Sequence, residues 1–348
     1  MTMPLLARPI GVRRAADADH TRVDEFLHAH PQATPFHQRE WGAAIAAACG
    51  QRAHLLLAEY GDGTLAGVLP LTEMRSPLFG RALVSNGFAV DGGILGNASV
   101  VEPLASAARA LAQTLNCPSI ELRGGAHPSD WAVDEGSYIG FARELAADDE
   151  AELLAIPRKQ RAEVRKALAN DLTVEVGRDA ASLADHYRVY AESVRNLGTP
   201  VFPARLFRSV VETMDADVLT VRHRGRAVAS VLSLYHRGTV YPYWGGGTEA
   251  ARGLRANDRM YFALMAHARA RGCTRFDFGR SKTGTGAAAF KKNWGFTPEP
   301  RLYAKRSDGP AREVNPLNPK YALMVRSWKK MPLWAANLAG PWISRGLG

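Results

Sequence analysis

The densest group of chemically active side chains lies at residues 276–296, FDFGRSKTGTGAAAFKKNWGF. A short apolar strand leads into a glycine-rich turn, and the turn leads into a helix that carries Lys291 and Lys292. The first N–H groups of a helix have no partner within it, and together with the helix dipole they favour an anion. Because Arg280 and Lys282 precede the turn, the stretch predicts either an anion site or a plain turn with solvated lysines.

A dinucleotide site is the first alternative to test, because Gly284–Ala289 formally matches the G-x-G-x-x-A pattern. Such a site needs a turn directly after the strand and an acidic residue about 20 residues further on, at the end of a second parallel strand. Here Arg280–Thr283 intervene after Gly279, and the next carboxylate, Glu299, lies between two prolines. The sequence therefore disfavours a dinucleotide site, and the lack of G-K-[ST] after Gly284 excludes a Walker loop.

An aromatic group precedes three glycines in TVYPYWGGG, which begins at Thr239. Alternation along a strand predicts Tyr241 and Tyr243 on one face and Trp244 on the other. Glycines after a strand allow a ligand to approach the backbone closely, whereas aromatic residues on a strand more often belong to the core. The pattern leaves both interpretations open for the strand and for its glycines, Gly245, Gly246 and Gly247.

The segment Pro157–Asn170, PRKQRAEVRKALAN, predicts a helix with one strongly basic face. At about 100° per residue, Val164, Ala167 and Leu168 lie opposite the basic residues, which are Arg158, Lys159, Arg161, Arg165 and Lys166. Such a face is typical of contact with RNA, a polyphosphate or an acidic membrane surface, and equally of a plain solvated surface. No base-stacking aromatic residues accompany it, so sequence-specific nucleic-acid binding is not expected.

The elements that position these groups follow a similar order in the two halves of the chain. The first half predicts a hairpin of Arg52–Tyr60 and Leu65–Met74, then a helix at 99–115 and the strand Ser119–Arg123. The second half predicts, in order, strand Thr173–Val176, helices 181–195 and 204–214, a hairpin turning near Arg224–Gly225, strand Thr239–Trp244, helix 257–271 and strand Thr274–Phe278. Strands joined by tight turns are antiparallel, so we expect an α+β fold with mixed, mostly antiparallel sheets. The acidic stretch at 146–150 suggests domains at 1–147 and 148–348.

Composition narrows the function further. Among 348 residues the net charge is +10, mostly from arginine, which favours anionic partners. Three widely spaced cysteines and ten histidines show no metal-ligand spacing, and G-x-S-x-G and H-E-x-x-H are absent, so neither a metal nor a common hydrolase mechanism is expected. No apolar run of about 20 residues and no secretory signal occur, which predicts a cytoplasmic protein.

The last segment of the chain has the composition of a membrane-interface helix. Tryptophan alternates there with basic residues, and acidic residues are lacking. We expect either peripheral contact with the inner membrane or packing back onto the domain; the residues are Trp328, Lys329, Lys330, Trp334, Trp342 and Arg345.

Taken together, PRKQRAEVRK, YPYWGGGTEAARGLRAND and FDFGRSKTGTGAAAFKKNWGF resemble the FemAB-like acyltransferases of the GNAT superfamily. Within them, the chain is similar to the subgroup associated with exosortase/PEP-CTERM and exopolysaccharide systems. The resemblance covers nearly the whole chain, and RSKTGTGAAAFKKNWGF is its most specific part. It implies two tandem GNAT-like modules and an N-acyltransferase that moves an acyl or aminoacyl group to an amine of a cell-envelope or exopolysaccharide-related acceptor. It also implies acyl-CoA or aminoacyl-tRNA as donor, with no tightly bound cofactor.

The same resemblance implies roles for individual residues. Asp277 would act as the base or orient the amine, and Tyr243 would donate to the oxyanion or relay a proton. Trp294 would form a wall of the acceptor pocket. Phosphate contacts would come from Arg280, Lys282, Lys291 and Lys292, other substrate contacts from Tyr241, Trp244, Gly245, Gly246, Gly247 and Ser281, and anion or tRNA contacts from Arg158, Lys159, Arg161 and Arg165.

One departure from the family pattern bears on the donor. The superfamily's pyrophosphate loop, Q/R-x-x-G-x-G/A, is replaced here by GGGTEAARGLRAN. Either the donor is not CoA, or the backbone N–H groups of Gly245–Gly247 bind it without the signature. The alternative function is a catalytically degenerate module that binds a glycan or peptidoglycan precursor, and such a module would tolerate the loss of Asp277 and Tyr243.

Overall fold

A computed structural model describes residues 9–309 and 322–348. The chain divides into two compact units: among described residues, the first holds those up to Glu135, those from Leu302 to 309 and Gly346–Gly348, and the second holds Gly136–Arg301 and 322–345. The sequence placed the division after residue 147. The structural division comes earlier because the strand Tyr138–Glu144 is hydrogen-bonded to Arg275–Lys282 and is therefore part of the second sheet.

The first unit is a mixed sheet with helices packed on it. Its strands are β1 (Ile10–Arg14), β2 (Arg52–Tyr60), β3 (Leu65–Ser76), β4 (Gly80–Ser85), β5 (Leu95–Gly96), β6 (Ser119–Arg123), β7 (Ala132–Asp134) and β15 (Tyr303–Ser307). They lie in the order β1-β2-β3-β4-β6-β15-β7, and β5 pairs with β3. The helices are α1 (His20–Ala29), α2 (Arg39–Cys49) and α3 (Val101–Thr114).

The parallel pairing of β4 with β6 follows from the helix that connects them. α3 leads from the β4 side of the sheet to β6, and the two strands pair from Leu83–Ile120 to Ser85–Leu122. Leu104, Ala105 and Ala108 of α3 are fully buried in a cluster with Leu69 and Leu83 of the sheet. Burial of this apolar stripe at helical spacing stabilises the crossover.

The second unit repeats this plan with more helices. Its strands are β8 (Tyr138–Glu144), β9 (Thr173–Gly177), β10 (Ala216–His223), β11 (Arg226–His236), β12 (Thr239–Gly247), β13 (Arg275–Lys282) and β14 (Pro298–Pro300), in the order β14-β8-β13-β12-β11-β10-β9. Its helices are α4 (Asp149–Ala155), α5 (Arg158–Ala169), α6 (Ala180–Leu197), α7 (Ala204–Thr213), α8 (Glu249–Leu254), α9 (Ala256–Ala270), α10 (Gly286–Asn293), α11 (Ala322–Lys330) and α12 (Leu333–Ser344).

The predicted α+β class with two mixed, mostly antiparallel sheets is confirmed. Most predicted elements occur, but two strands run further than expected. β12 continues through Gly247 and β13 continues to Lys282, so Gly245–Gly247 and Gly279–Lys282 are strand, whereas the predicted glycine-rich turn before α10 occurs at 283–285. Both extensions have partners, β11 for one and β8 for the other, and the ladder hydrogen bonds outweigh the low strand preference of glycine. Across residues 9–309 and 322–348, no helix combines the length and hydropathy needed to cross a bilayer.

Candidate functional site

The centre of the second sheet opens where two parallel strands separate. β12 and β13 pair only at Thr239–Arg275 and Val240–Phe276, although both strands continue. Beyond that point β12 remains paired with β11, and β13 remains paired with β8. Neighbouring strands that keep their outer partners but lose their shared ladder diverge, which leaves a cleft between them. Most of the predicted site residues lie on these two diverging segments or on α10, which packs against β13.

A β-bulge at Tyr243 shapes one side of the cleft. Leu232 of β11 pairs with Trp244 and Ser233 pairs with Pro242, so Tyr243 is the extra residue of β12. The Tyr243 and Trp244 rings meet edge to face with centroids 4.9 Å apart. The expectation that they lie on opposite faces is therefore wrong, because a bulge brings consecutive residues to the same side.

Trp244 itself belongs to an aromatic cluster on the α6–α7 side of the sheet. Its ring is buried and meets Phe207 at 5.1 Å and Phe202 at 6.2 Å. Tyr241 and Tyr243 stay partly exposed. Of the three aromatic residues predicted to contact a substrate, the two tyrosines thus have surface for a ligand. Trp244 is buried and packs against the Tyr243 ring.

A second bulge, in β13, shapes the other side. The pairing with β8 shifts between Asp277 and Arg280, and Gly279 takes a φ of 65°, which glycine adopts without strain. The Asp277 carboxylate accepts a hydrogen bond from the Gly279 N–H at 2.7 Å and one from Arg301 Nη2 at 3.3 Å. These contacts fix the orientation of the Asp277 carboxylate. Asp277 is partly buried, while its neighbours in sequence, Phe276 and Phe278, are core residues.

Lys291 holds this second bulge together. Its ammonium donates to the carbonyl oxygens of Phe278 at 2.6 Å, Gly279 at 3.3 Å and Arg280 at 2.9 Å. Burial lowers the pKa of Lys291 to about 8, while the Asp277 carboxylate raises it in opposition. The predicted phosphate contact is replaced by a structural one, because three main-chain acceptors already occupy the three N–H donors of the ammonium.

The other predicted cations lie further along the same edge. The guanidinium of Arg280 stacks over the Tyr138 ring at 4.6 Å, and Lys282 Nζ lies 5.9 Å from the same ring. Both are partly exposed, and Lys292 on α10 is exposed. Ser281 between them is buried, and among the described residues its hydroxyl makes no hydrogen bond. Anion contacts by Arg280, Lys282 and Lys292 remain a prediction.

Trp294 does not form a pocket wall. It is fully buried, with its ring centroid 6.2 Å from that of Tyr261 and 6.1 Å from that of Phe290. It caps the C-terminal end of α10 and packs into the core there. The family resemblance implied a wall of the acceptor pocket for this residue, but its burial leaves no surface for a ligand.

Two of the three glycines of β12, Gly246 and Gly247, allow helices to approach the strand, whereas Gly245 faces Val231 of β11. A β-carbon on Gly246 would lie 2.3 Å from Ser193 Oγ of α6. One on Gly247 would lie 2.6 Å from the Ala251 β-carbon and 2.7 Å from Asn257 Oδ1. Other groups do approach the strand closely at these glycines, but they are side chains of α6, α8 and the start of α9. Contact of a ligand with the glycines stays a prediction.

Replacing Gly246 by alanine tests this packing. We expect Gly246→Ala to lower the free energy of unfolding by about 1–3 kcal/mol, the usual cost of overpacking, because the new methyl group overlaps Ser193. Ser193→Gly in the same chain should restore most of the loss. Urea unfolding checks both variants, with Gly253→Ala as control, since nothing lies within 4 Å of a β-carbon there. An unstable double variant would contradict the explanation.

The basic helix α5 packs on α9 and leaves part of its charge outward. Gln160 Nε2 donates to Asp258 Oδ1 at 2.6 Å, and Glu163 pairs with Arg255. Burial raises the pKa of Asp258 to about 6. Arg161 folds back onto the carbonyls of Leu154 and Ile156. The exposed residues of the predicted basic face are Arg158, Lys159, Arg165 and Lys166, whereas Leu168, predicted on the apolar face, is also exposed.

Two residues that contact the predicted site residues of β13 were not predicted from the sequence. Arg301 contacts its carboxylate, and Tyr138 lies under Arg280 and Lys282. Both are brought in by β8 and the segment after β14, and Arg301 N–H donates to the Tyr138 carbonyl at 3.0 Å. No local motif marks them, because their positions depend on the pairing of β8 with β13.

Comparison with known proteins agrees with this geometry. Residues 158–292, which contain both bulges, match the family model described as an acetyltransferase (GNAT) domain. The fold as a whole resembles FemX, with a TM-score of 0.64, 15% identity, and 84% of this chain and 96% of that chain covered. The protein has a tandem GNAT fold.

Two further solved structures share it. A tandem GNAT protein from the clavulanic acid biosynthesis pathway aligns with a TM-score of 0.54 and 13% identity, covering 87% of this chain and 100% of that one. The C-terminal domain of a putative lysylphosphatidylglycerol synthetase from Agrobacterium fabrum aligns with a TM-score of 0.56 and 13% identity, covering 84% of this chain and 92% of that one. No curated protein sequence matches. The narrower resemblance to the exosortase-associated subgroup remains a prediction.

Proposed function

We propose that the second unit is an N-acyltransferase whose chemistry takes place in the β12–β13 cleft. The observation that carries the proposal is the opening of this parallel pair between two bulges, one at Tyr243 and one after Asp277, inside the stretch that matches the GNAT acetyltransferase model. The fold shared with FemX and with a putative lysylphosphatidylglycerol synthetase supports the assignment. The acceptor, an amine of a cell-envelope or exopolysaccharide-related molecule, follows from the family resemblance.

The reaction needs a neutral amine, an aligned carbonyl and a base. The amine nitrogen attacks the acyl carbonyl carbon, a C–N bond forms, and the C–S or C–O bond to the donor breaks. In this proposal Asp277 receives the proton that the amine loses, and the Tyr243 hydroxyl donates to the oxyanion before the leaving group takes up a proton. The hydrogen bonds from Arg301 and Gly279 fix the orientation of the Asp277 carboxylate. A fixed orientation supports this role, because proton transfer needs a base that is held in position.

The donor we propose is an aminoacyl ester on tRNA rather than a CoA thioester. Where a CoA-binding loop would lie, Glu249–Leu254 forms the helix α8, and Asp258 places a carboxylate in the first turn of α9. A carboxylate in the first turn of a helix offsets the positive end of the helix dipole, which would otherwise attract a pyrophosphate. The exposed cations of α5 offer a polyanion an alternative surface.

A transfer assay with labelled acetyl-CoA and labelled aminoacyl-tRNA, each with amine-bearing cell-envelope precursors, tests the proposal. We expect label in the acceptor with aminoacyl-tRNA, and a fall of at least about a hundredfold in the transfer rate in Asp277→Asn and in Tyr243→Phe. Asp171→Asn, an exposed carboxylate on the loop before β9, is the matched control. Precursor binding without transfer, unchanged by either substitution, would instead support the non-catalytic module.

A further inference from the structure

The helices α11 and α12 expose an unusual amount of apolar surface. The exposed fractions of Trp334, Leu338 and Trp342 on α12 are 73, 77 and 52%, and those of Leu323 and Met324 on α11 are 74 and 57%. Large apolar side chains that are exposed together mark a binding surface. None of these residues belongs to the β12–β13 cleft, so the site described above does not explain them.

The face of α12 that docks onto the second unit consists of small residues. Ala336, Gly340 and Ser344 are buried at four-residue spacing. A β-carbon on Gly340 would lie 3.0 Å from the Val201 nitrogen, and Ser344 Oγ donates to the Val201 carbonyl at 2.8 Å. The helix is thus already fixed to its domain by its small-residue face.

The opposite face carries the large apolar residues at the same spacing. Trp334, Leu338 and Trp342 lie about 200° around the helix from Ala336, Gly340 and Ser344. A surface helix of a soluble domain normally has the reverse arrangement, with its large apolar residues inward. The expected packing of the tail onto the domain therefore holds for the small-residue face of α12 and for Trp328 of α11, which is buried, but not for Trp334 and Trp342.

The charged residues of this segment all have one sign. Residues 322–348 contain Arg326, Lys329, Lys330 and Arg345, and no aspartate or glutamate. Lys329 and Lys330 end α11 directly before α12 begins. Tryptophan beside leucine in a segment with basic and no acidic residues is the composition of a helix that lies in the interface of an anionic membrane.

We propose that α12 attaches the protein to the surface of an anionic lipid bilayer. Trp334, Leu338 and Trp342 enter the boundary between headgroups and acyl chains, and the four cations contact lipid phosphates. A second copy of the chain fits the face less well. Three side chains, at about 150–250 Å² for each tryptophan, fall short of the roughly 800 Å² per partner of a stable protein interface. Two copies of the chain would also repel each other at this face, because both carry the same positive charges there.

Vesicle flotation of the full chain tests the proposal, independently of any transfer activity. We expect the protein to float with vesicles of phosphatidylcholine and phosphatidylglycerol, to remain behind with phosphatidylcholine alone, and to be released by high salt. Trp334→Ser with Leu338→Ser and Trp342→Ser should reduce bound protein at least about tenfold. Lys329→Glu with Lys330→Glu should abolish the preference for the anionic vesicles while leaving α12 folded.

The matched control is Leu78→Ser with Leu154→Ser, which removes two exposed leucines elsewhere and should float as the unmodified chain does. Circular dichroism verifies that each variant is folded. The proposal is overturned if the triple serine variant floats as well as the unmodified chain. It is also overturned if the unmodified chain does not float but forms a concentration-dependent dimer in light scattering that the triple substitution abolishes.

Discussion

Lys291→Met is expected to lower the free energy of unfolding by about 2–4 kcal/mol and to reduce acyl transfer at least about a hundredfold. The substitution keeps the length of the side chain but leaves the carbonyls of Phe278, Gly279 and Arg280 without their donor, at a cost of about 1–3 kcal/mol for each buried group. Relief of the buried charge offsets part of this cost. Without its brace the β13 bulge relaxes and Asp277 moves, and a displacement of about 1 Å in a catalytic group is enough for a hundredfold loss.

The pH dependence of stability gives a second measure of the same contact. The pKa of Lys291 is about 8 in the folded chain against 10.5 for the free side chain, because burial disfavours the charged form. Between these values the unfolded chain binds more protons than the folded one, so stability attributable to Lys291 rises with pH. Relative to Lys291→Met, the unmodified protein should gain up to about 3 kcal/mol between pH 8 and pH 10.5.

Urea unfolding at several pH values, together with the transfer assay, checks both parts of this prediction. Lys292→Met is the matched control, since its side chain is exposed one residue along the same helix. It should leave the free energy of unfolding within about 0.5 kcal/mol of the starting value. Parallel pH profiles for the Lys291→Met variant and the unmodified chain would show that the ammonium is not buried against the bulge in solution.

Local patterns predicted most of the fold correctly. The turn at Arg224–Gly225 and the alternating apolar residues around it place β10 and β11 as the structure has them. The strand β6 and the helices α3, α5, α6, α7 and α9 also occur near their predicted bounds. These elements are set by turn residues and by one apolar face each, and both are properties of neighbouring residues in the sequence.

The site was harder to predict because its shape depends on pairing between distant strands. A bulge shifts every later side chain of a strand to the other face, and nothing in YPYW or FDFG states where the register slips. The prediction therefore placed Tyr243 and Trp244 on opposite faces. It also assigned Lys291 to a ligand. In the structure Lys291 instead donates to three carbonyls that the second bulge exposes, and the sequence does not reveal that bulge. The residue types therefore indicated where the site lies, but the contacts of each side chain could be known only from the pairing of the strands.

The strand that supplies Tyr138 is itself held by a buried ion pair, and the loss of this pair should be strongly destabilising. Glu152 of α4 is fully buried, pairs with Arg143 of β8, accepts the Ala146 N–H at 2.9 Å and lies 3.4 Å from Arg269 of α9. Removing one member of a buried pair leaves the other charges uncompensated, which costs about 3–5 kcal/mol. We therefore expect Glu152→Ala to destabilise the second unit by that amount.

Hydrogen exchange of the β8 and β13 amides locates the effect, because the ladder between them closes one side of the cleft. In Glu152→Ala these amides should lose protection first, because Arg143 of β8 loses its carboxylate partner, whereas Arg269 keeps its ion pair with Asp149. Glu150→Ala, an exposed acid on the same helix, serves as the control and should leave exchange unchanged. Uniform loss of protection across the second unit would mean that Glu152 stabilises its core in general. Selective loss at β8 would show that this ion pair holds the strand that places Tyr138 against Arg280 and Lys282 and binds Arg301, which contacts Asp277.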